Sequence, residues 1–566
     1  MAYEKLAQIM RNFDEGDLYD LLGDLKNSLV EWSFDGKSLK LKQNIIDVVL
    51  AVKGLDLFTE ESFRYKFFLS LNDIQIIHNM CDIAKVTHKK EEDYYSLSKK
   101  LSKIPFKDNT LYNYIISELL LISDYKFINA TDNSNSEFIK NEEKGMNELY
   151  DYQYMIKQQA INDLSDEEKG LYKILIHMPT GTGKTKTTMH IISHYINHIS
   201  KAKGLVMWIA HSDELLKQAY QTFKSVWCHL GQRDITIYKG WNGYPDSFND
   251  GILFTSIQSL LKKMDKPVFD YIDQNGTLII FDEVHKAGAS KYKKCIDILM
   301  DRQHLYPKHF IGLTATPGRT TMISKENELF SGSFDHIIGI DVDKVLNISL
   351  NKNEAANYPG IKEVIPFFQD QKILARLNRK VLEYDLEPSL LKELRVELKK
   401  VSDDYSDDLI EKIGLNQARN AKIVEELRRL DEEGIPTIVF ACSLQHAQLL
   451  SAFLKILNIN NSLVYGNMKN PYAREKAIKD FKDPKSNVNI IINYEILTTG
   501  FDSTNIRCVF ITRPTKSIIL YSQMIGRGLR GPKMGGNAEC LLIDVKENLD
   551  AYNENDAFKH FDEYWR

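Results

Sequence analysis

The sequence predicts an α/β protein: two tandem open parallel sheets covered by helices, preceded by an all-helical accessory domain. Three observations predict this. Short apolar runs alternate with helix-length stretches over residues 149–345 and again from 421 to 566, as expected of strands joined by crossover helices. Residues 1–148 instead carry apolar side chains at helical spacing. A charged stretch, 346–420, separates the two alternating regions.

Composition narrows the class. A chain of 566 residues has room for about three or four domains with proper cores. Its 43% hydrophobic and 27% charged content is that of an ordinary globular protein. A formal net charge of −5 excludes a global basic footprint, so any nucleic-acid contact must use a local groove. The six cysteines are isolated, with no pair at metal-ligand spacing, which predicts free thiols in a reducing compartment. No apolar run reaches membrane-spanning length, and Glu4 stands where a secretory signal would build its apolar core. A cytoplasmic location is expected, with no membrane partner.

In the first 148 residues, Leu18, Leu21, Leu22, Leu25 and Leu29 share one helical face. Phe63, Tyr65, Phe67 and Phe68 could stack on bases, but a core is the simpler reading. The polar and charged stretch Thr131–Asn147 reads as a linker. No catalytic constellation occurs here, so the segment is expected to serve as an accessory domain and as a surface for a protein partner.

Over 149–345 the expected strands are Ile174–Met178, Gly204–Ala210, Gly251–Ser256, Thr277–Asp282 and Phe310–Thr314. Open α/β sheets bind ligands beyond the carboxyl ends of their strands. At the first of these ends stands Met178-Pro-Thr-Gly-Thr-Gly-Lys-Thr185, which fits the phosphate-loop pattern G-x-x-x-x-G-K-(S/T) except that Met178 replaces the first Gly. Thr180, Gly181, Thr182 and Gly183 form the turn, and the two glycines let successive N–H groups face one anion. Lys184 supplies a point charge for the β- and γ-phosphates, Thr185 offers a hydroxyl to Mg²⁺, and the following helix adds its positive end. Further along, Asp282-Glu-Val-His285 ends an apolar run too short for a helix. Asp282 can hold Mg²⁺ opposite Thr185, and Glu283 can orient and deprotonate an attacking water. For His285, a hydrogen-bonding role between the two halves is a better reading than metal ligation.

The second alternating region places strands at Thr437–Ala441, Ser462–Tyr465, Val488–Asn493, Arg507–Thr512 and Cys540–Asp544. Gln523-Met-Ile-Gly-Arg-Gly-Leu-Arg530 follows the fourth, with Arg527 and Arg530 one helical turn apart. In the charged stretch, Ile373–Leu382 and Ser389–Val401 mix charges with leucine at helical spacing and read as a solvated helical hairpin or a nucleic-acid-facing wedge. Leu542-Ile-Asp-Val-Lys546 lacks an upstream acid to complete a nuclease strand and reads as the last sheet strand.

Taken together, Met178–Thr185, Asp282-Glu-Val-His285, Thr314-Ala-Thr316 and Gln523–Arg530 resemble motifs I, II, III and VI of superfamily 2 helicases of the DExH-box type. The branch they are most similar to is that of restriction-enzyme motor subunits (type III restriction-like) and phage and repair DNA helicases. The resemblance covers roughly Leu149–Asp544 and leaves residues 1–148 undescribed. It implies two RecA-like lobes, with ATP and Mg²⁺ between them. Leu149-Tyr-Asp-Tyr-Gln153 resembles the adenine-reading segment, making Gln153 the base reader, though Tyr150 stands where the family often has Arg. The family's arginine-finger role falls to Arg527 and Arg530, with Gln523 beside them. Gly500 and Asp502 would meet the nucleotide side, while Thr314 and Thr316 would couple the sites. Thr255, Ser256 and Thr498 would grip a nucleic-acid backbone, although Thr255 and Ser256 alone would more often be strand-end caps. The implied function is an ATP-dependent helicase or translocase on DNA before RNA, in an anti-phage defence or repair setting. The alternatives are an RNA-dependent ATPase and an ATP-gated scaffold subunit.

Overall fold

The computed structural model describes residues 3–30, 33–34, 37–39, 41–107, 109–122, 134–140, 147–166, 172–200, 204–245, 247–248, 250–284, 297–299, 309–315, 334–349, 364–384, 387–398, 404–466, 468, 471–498 and 503–545. Two mainly parallel sheets organise it, one per expected lobe. The first contains β3 (Ser136–Ile139), β4 (Lys173–His177), β5 (Leu205–Ala210), β6 (Ile235–Lys239), β7 (Gly251–Ser256), β8 (Gly276–Asp282), β9 (His309–Thr314) and β10 (His336–Ile338). Their spatial order is β10-β4-β9-β8-β5-β7-β6-β3, and only β3 runs antiparallel to its neighbour. The second sheet orders β11 (Arg376–Leu382), β12 (Thr437–Phe440), β13 (Asn461–Tyr465), β14 (Ile490–Tyr494), β15 (Cys508–Ile511) and β16 (Glu539–Val545) as β11-β16-β15-β12-β14-β13, all parallel. Strands β5, β8 and β9 are buried along their whole length because helices cover both faces.

Three features depart from the sequence reading. Residues 376–382, expected to be helical, form strand β11, paired in register with β16 from Arg376↔Glu539 to Leu382↔Val545. The reason lies in the pattern: Leu377 and Val381 are four apart, a spacing that fits a helix and one face of a strand equally. An edge strand tolerates the intervening charges. Arg379, on that same face, forms an ion pair with the buried Asp544 at 2.9 Å, and Asp544 also accepts the Tyr521 hydroxyl at 2.7 Å. Asp544 is thereby part of a structural network in the last expected strand.

The stretch read as a linker supplies β3, which closes the far edge of the first sheet. Glu137 on β3 is gripped by Lys224 at 2.6 Å, Lys239 at 3.1 Å and the Tyr220 hydroxyl. Burial alone would raise its carboxyl, but these three partners outweigh burial and hold it down at about 2.

The N-terminal residues are helical apart from a short hairpin, β1 (Ser33–Phe34) with β2 (Lys37–Ser38). Phe63, Phe67 and Phe68 are wholly buried, so these rings build a core. That core is continuous with the second lobe: the helix Lys42–Lys53 packs on the helix Leu444–Ile456, whose other side covers β13 and β14. Residues His446, Ala447, Leu449, Leu450, Phe453 and Leu454 bury nearly the full circumference of that helix, which needs cover on both sides.

Candidate active site

Strand β4 ends at Met178, whose side chain is buried and whose N–H donates to the Thr314 carbonyl at 3.1 Å. Met178 thus fills the first-glycine position as a core residue. Gly181 and Gly183 take φ of +87° and +81°, the left-handed conformations that curl the loop before the helix Lys184–His194. Thr180 is half-buried, and Thr182 is wholly buried with its hydroxyl on the Pro179 carbonyl at 2.7 Å.

Strand β8 brings the acids to the loop. Lys184 Nζ lies 2.9 Å from Glu283 Oε1 and 3.5 Å from Asp282 Oδ1. Burial would lower the Lys184 ammonium, but Glu283 and then Asp282 outweigh it and hold the lysine charged, above its ordinary range. Burial pushes the Asp282 carboxyl up, because one lysine cannot fully balance two desolvated carboxylates. Glu283 adopts φ +54°, an uncommon conformation for a non-glycine residue, with its N–H donating to Asp282 Oδ1 at 3.1 Å. Thr185 stands half-buried on the first helical turn. The hydroxyl of Thr185 and the carboxylate of Asp282 are hard oxygen donors, the type that suits Mg²⁺.

The second lobe closes the site. Gly526 packs so tightly on the loop that a Cβ there would lie 2.5 Å from Thr180 Cγ2. A Cβ at Gly181 would lie 3.7 Å from Arg530 Cγ. Arg527 donates to the Gln523 carbonyl at 3.3 Å, and Gln523 itself is buried. Burial lowers the Arg527 guanidinium to about 10, with Glu283 as the charge that opposes the fall, so the arginine remains a cation facing the acids of the first lobe. Arg530 is likewise lowered by burial.

The other expected residues divide. Thr314 is buried at the tip of β9, beside the phosphate loop. His285, Thr316, Gly500 and Asp502 lie outside the described residues. Gln153, expected to read a base, is 1% exposed. Its Nε2 donates to the Thr182 carbonyl at 2.9 Å and its Oε1 accepts the Tyr150 N–H at 3.1 Å, which places its amide against the phosphate loop. Thr255, expected to touch a backbone, is wholly buried on β7 with its hydroxyl bonded to Tyr244 Oη at 2.5 Å. Ser256 caps the next helix through the Ser259 N–H at 3.1 Å, and the Thr498 hydroxyl donates to the Glu495 carbonyl at 3.1 Å.

Two features escaped the sequence reading. His177 ends β4, and its Nε2 lies 3.1 Å from the Ala315 carbonyl, joining the phosphate loop to the loop after β9. Burial, then Lys184, lowers this imidazole to about 4. A polar residue closing a buried apolar strand was the available signal. Across the lobes, Arg474 pairs with Glu214, and Tyr150 donates to the Lys533 carbonyl at 2.7 Å. Nothing local in the sequence marks either contact.

A phosphate loop, an Asp-Glu pair on the neighbouring strand and an arginine-bearing helix from a second parallel sheet define a two-lobed, RecA-like nucleotide hydrolase. Family comparison is more specific. Residues 146–319 match the type III restriction enzyme res subunit family, and residues 418–531 match the helicase conserved C-terminal domain. The chain is 27% identical over 397 residues to IRC3 of Saccharomyces cerevisiae, whose name describes an ATP-dependent helicase, covering 68% of this chain and 49% of that protein. It is 24% identical over 421 residues to the type I restriction enzyme EcoAI endonuclease subunit of Escherichia coli, covering 70% of this chain and 46% of that one. A 51.5 kDa protein of a Lactococcus phage is 23% identical over 394 residues, 69% of each chain. The chain thus spans about half the length of the yeast and E. coli relatives. Residues 146–319 and 418–531 thus match the two motor domains of superfamily 2 helicases, and the chain is similar to those of the restriction-motor type.

Proposed function

We propose that this protein is a nucleic-acid-dependent ATPase that moves along or unwinds DNA. The observation that carries the proposal is the convergence of Lys184, Asp282 and Glu283 from one lobe with Arg527 from the other. Lys184 and the loop N–H groups bind the phosphates. Thr185 and Asp282 would hold Mg²⁺, which supplies charge neutralisation when bound. Glu283 leaves its lysine partner to accept the proton of the attacking water, and Arg527 neutralises the charge developing on the transferred phosphoryl group. His177 ties the loop to Thr314-Ala315, a route by which closure at the nucleotide can reach the outer loops. Ser256, at the tip of β7, and Thr498, in the turn after β14, remain the proposed backbone contacts. Arg530 and Gln523 support the finger.

DNA is favoured over RNA because the motifs resemble the restriction-enzyme branch, and the E. coli relative is named as a restriction enzyme's endonuclease subunit. The rival reading, an ATP-gated scaffold subunit, draws on the helical domain fused to the second lobe. The test is ATP turnover by purified protein alone and with single-stranded DNA, forked duplex or RNA, using Lys184→Ala as the blank. Stimulation by DNA above RNA supports the motor. Stimulation by RNA alone reassigns the polymer, and ATP-dependent binding without turnover or movement supports the scaffold. Among the described residues, no helix is long and apolar enough to cross a membrane.

A further inference from the structure

We propose that Asp404, from the charged stretch between the lobes, is a positioning residue that aims the arginine-bearing helix of the second lobe at the first. This rests on the reading of the site as a nucleotide hydrolase.

Arg527 follows the short helix Ile518–Ile525 and bonds back to its last turn through the Gln523 carbonyl at 3.3 Å. Where Arg527 points is therefore set by how that helix is aimed. The helix starts at Ser517, whose hydroxyl accepts the Leu520 N–H at 3.2 Å and whose N–H donates to Thr515 Oγ1 at 3.0 Å. Before it, residues 513–516 leave the tip of β15, where the Thr512 hydroxyl donates to the Phe440 carbonyl at 2.7 Å.

Asp404 grips both ends of that connection. One carboxylate oxygen lies 3.3 Å from Arg513 Nη2, and the other accepts the Lys516 N–H at 2.9 Å. Arg513 also donates to the Cys442 carbonyl at 3.1 Å, just past β12. Lys516 is only 3% exposed, with its ammonium on the Glu397 carbonyl at 3.1 Å and over the Tyr405 ring at 5.6 Å. Leaving those partners would strand a charge in the interior. The clamp has a firm base. The helix Asp407–Gly414 puts Leu409, Ile410 and Ile413 into one small core with Leu394, Tyr405 and Cys442. Leu394 comes from the helix Pro388–Leu398, so both helices of the charged stretch back Asp404. The helix it aims has eight residues. That makes it ~12 Å long, so a tilt of ~5° at Ser517 moves its far end by ~1 Å. A misplacement of that size can cost ~10²-fold in rate.

The experiment measures single-turnover ATP hydrolysis and equilibrium nucleotide binding by the full chain, with the nucleic acid that stimulates it most. It compares wild type, Asp404→Asn, Asp404→Ala, Arg527→Ala and Asp404→Asn/Arg527→Ala. Asp404→Asn keeps the shape of the side chain and an acceptor for the Lys516 N–H, and removes the charge facing Arg513. The hydrolysis rate should fall ~10-fold in Asp404→Asn and ~100-fold in Asp404→Ala, with the nucleotide Kd kept within about threefold. In the Arg527→Ala background, Asp404→Asn should change the rate by less than about twofold, because a residue acting through the arginine has nothing left to aim. An equal loss in both backgrounds makes Asp404 a general structural residue and overturns the proposal. So does a wild-type rate in both Asp404 variants, or a rate loss that comes with a matching rise in Kd or faster hydrogen exchange in β12 and β15. If Arg527→Ala is slow and the Asp404 variants are not, the hydrolase reading stands and only this inference fails. If wild type hydrolyses no ATP with any polymer, the hydrolase reading has failed and this inference falls with it.

Discussion

Replacing Lys184 by methionine keeps the length of the side chain and removes its charge. In the free protein this lysine is the cation within 2.9 Å of Glu283 and 3.5 Å of Asp282, and the three side chains are only 12%, 14% and 6% exposed. Without it, two carboxylates are left together in a desolvated cleft. Removing one partner of a buried pair costs ~3–5 kcal/mol, because the remaining charge keeps its desolvation penalty. Glu283→Gln alone leaves Lys184 paired with Asp282 and should cost ~1 kcal/mol, the scale of a hydrogen bond lost. In Lys184→Met/Glu283→Gln one carboxylate remains, so the double variant should be more stable than Lys184→Met, with a coupling of ~2 kcal/mol. The pH dependence has a definite sign. Burial already raises the Asp282 carboxyl, so the folded protein holds that proton more tightly than the unfolded chain. Stability from this group is therefore lost as pH rises from the ordinary carboxylate range through the raised value. Losing Lys184 raises it further, so the defect should deepen toward alkaline pH. Hydrogen exchange of β4 and β8, read by mass spectrometry without nucleotide, isolates this region from the rest of a multidomain chain. If the double variant exchanged as fast as Lys184→Met, the lysine would not be serving as counter-ion to the pair.

Other predictions follow from the same geometry. Arg527→Ala should lower kcat by ~10³–10⁵ with nucleotide affinity nearly kept, checked by single-turnover hydrolysis beside equilibrium binding. His177 is held neutral down to about 4, below the ordinary histidine value of 6.5, so it contributes a stability that is lost as pH falls between those values. His177→Gln should flatten part of that acid-side loss in a melting series, and His190, also lowered to about 4, should account for another part. Removing residues 1–122 should yield insoluble protein, because the helix Leu444–Ile456 would present Leu449, Leu450 and Phe453 to water. Phe453→Ala in the full chain should cost ~3–5 kcal/mol by denaturant titration.

The residues proposed to do chemistry were legible because the job assigned to them is set by neighbours in the chain. A phosphate loop needs two glycines, a lysine and a hydroxyl in one turn, and Met178–Thr185 contains them. Asp282 and Glu283 end an apolar run, and Gly526, Arg527 and Arg530 share one short segment. The alternation of runs likewise fixed the two-sheet class. Other assignments depended on partners far away in the chain. Leu377 and Val381 fit either period, and only the register with β16 makes that segment a strand. Glu137 becomes part of the first lobe because Lys224, Lys239 and Tyr220 surround it. The Gln153 amide meets the phosphate loop through packing under Gly183. Thr255 sits at a strand end, and its surroundings on β7 bury it. The N-terminal helices carried apolar faces with no mark of their target, and the all-round apolar helix of the second lobe provides it. Local sequence determines which groups can bind a phosphate. Which buried face meets which is decided by hydrophobic burial between distant segments, a force without direction that the linear pattern does not encode.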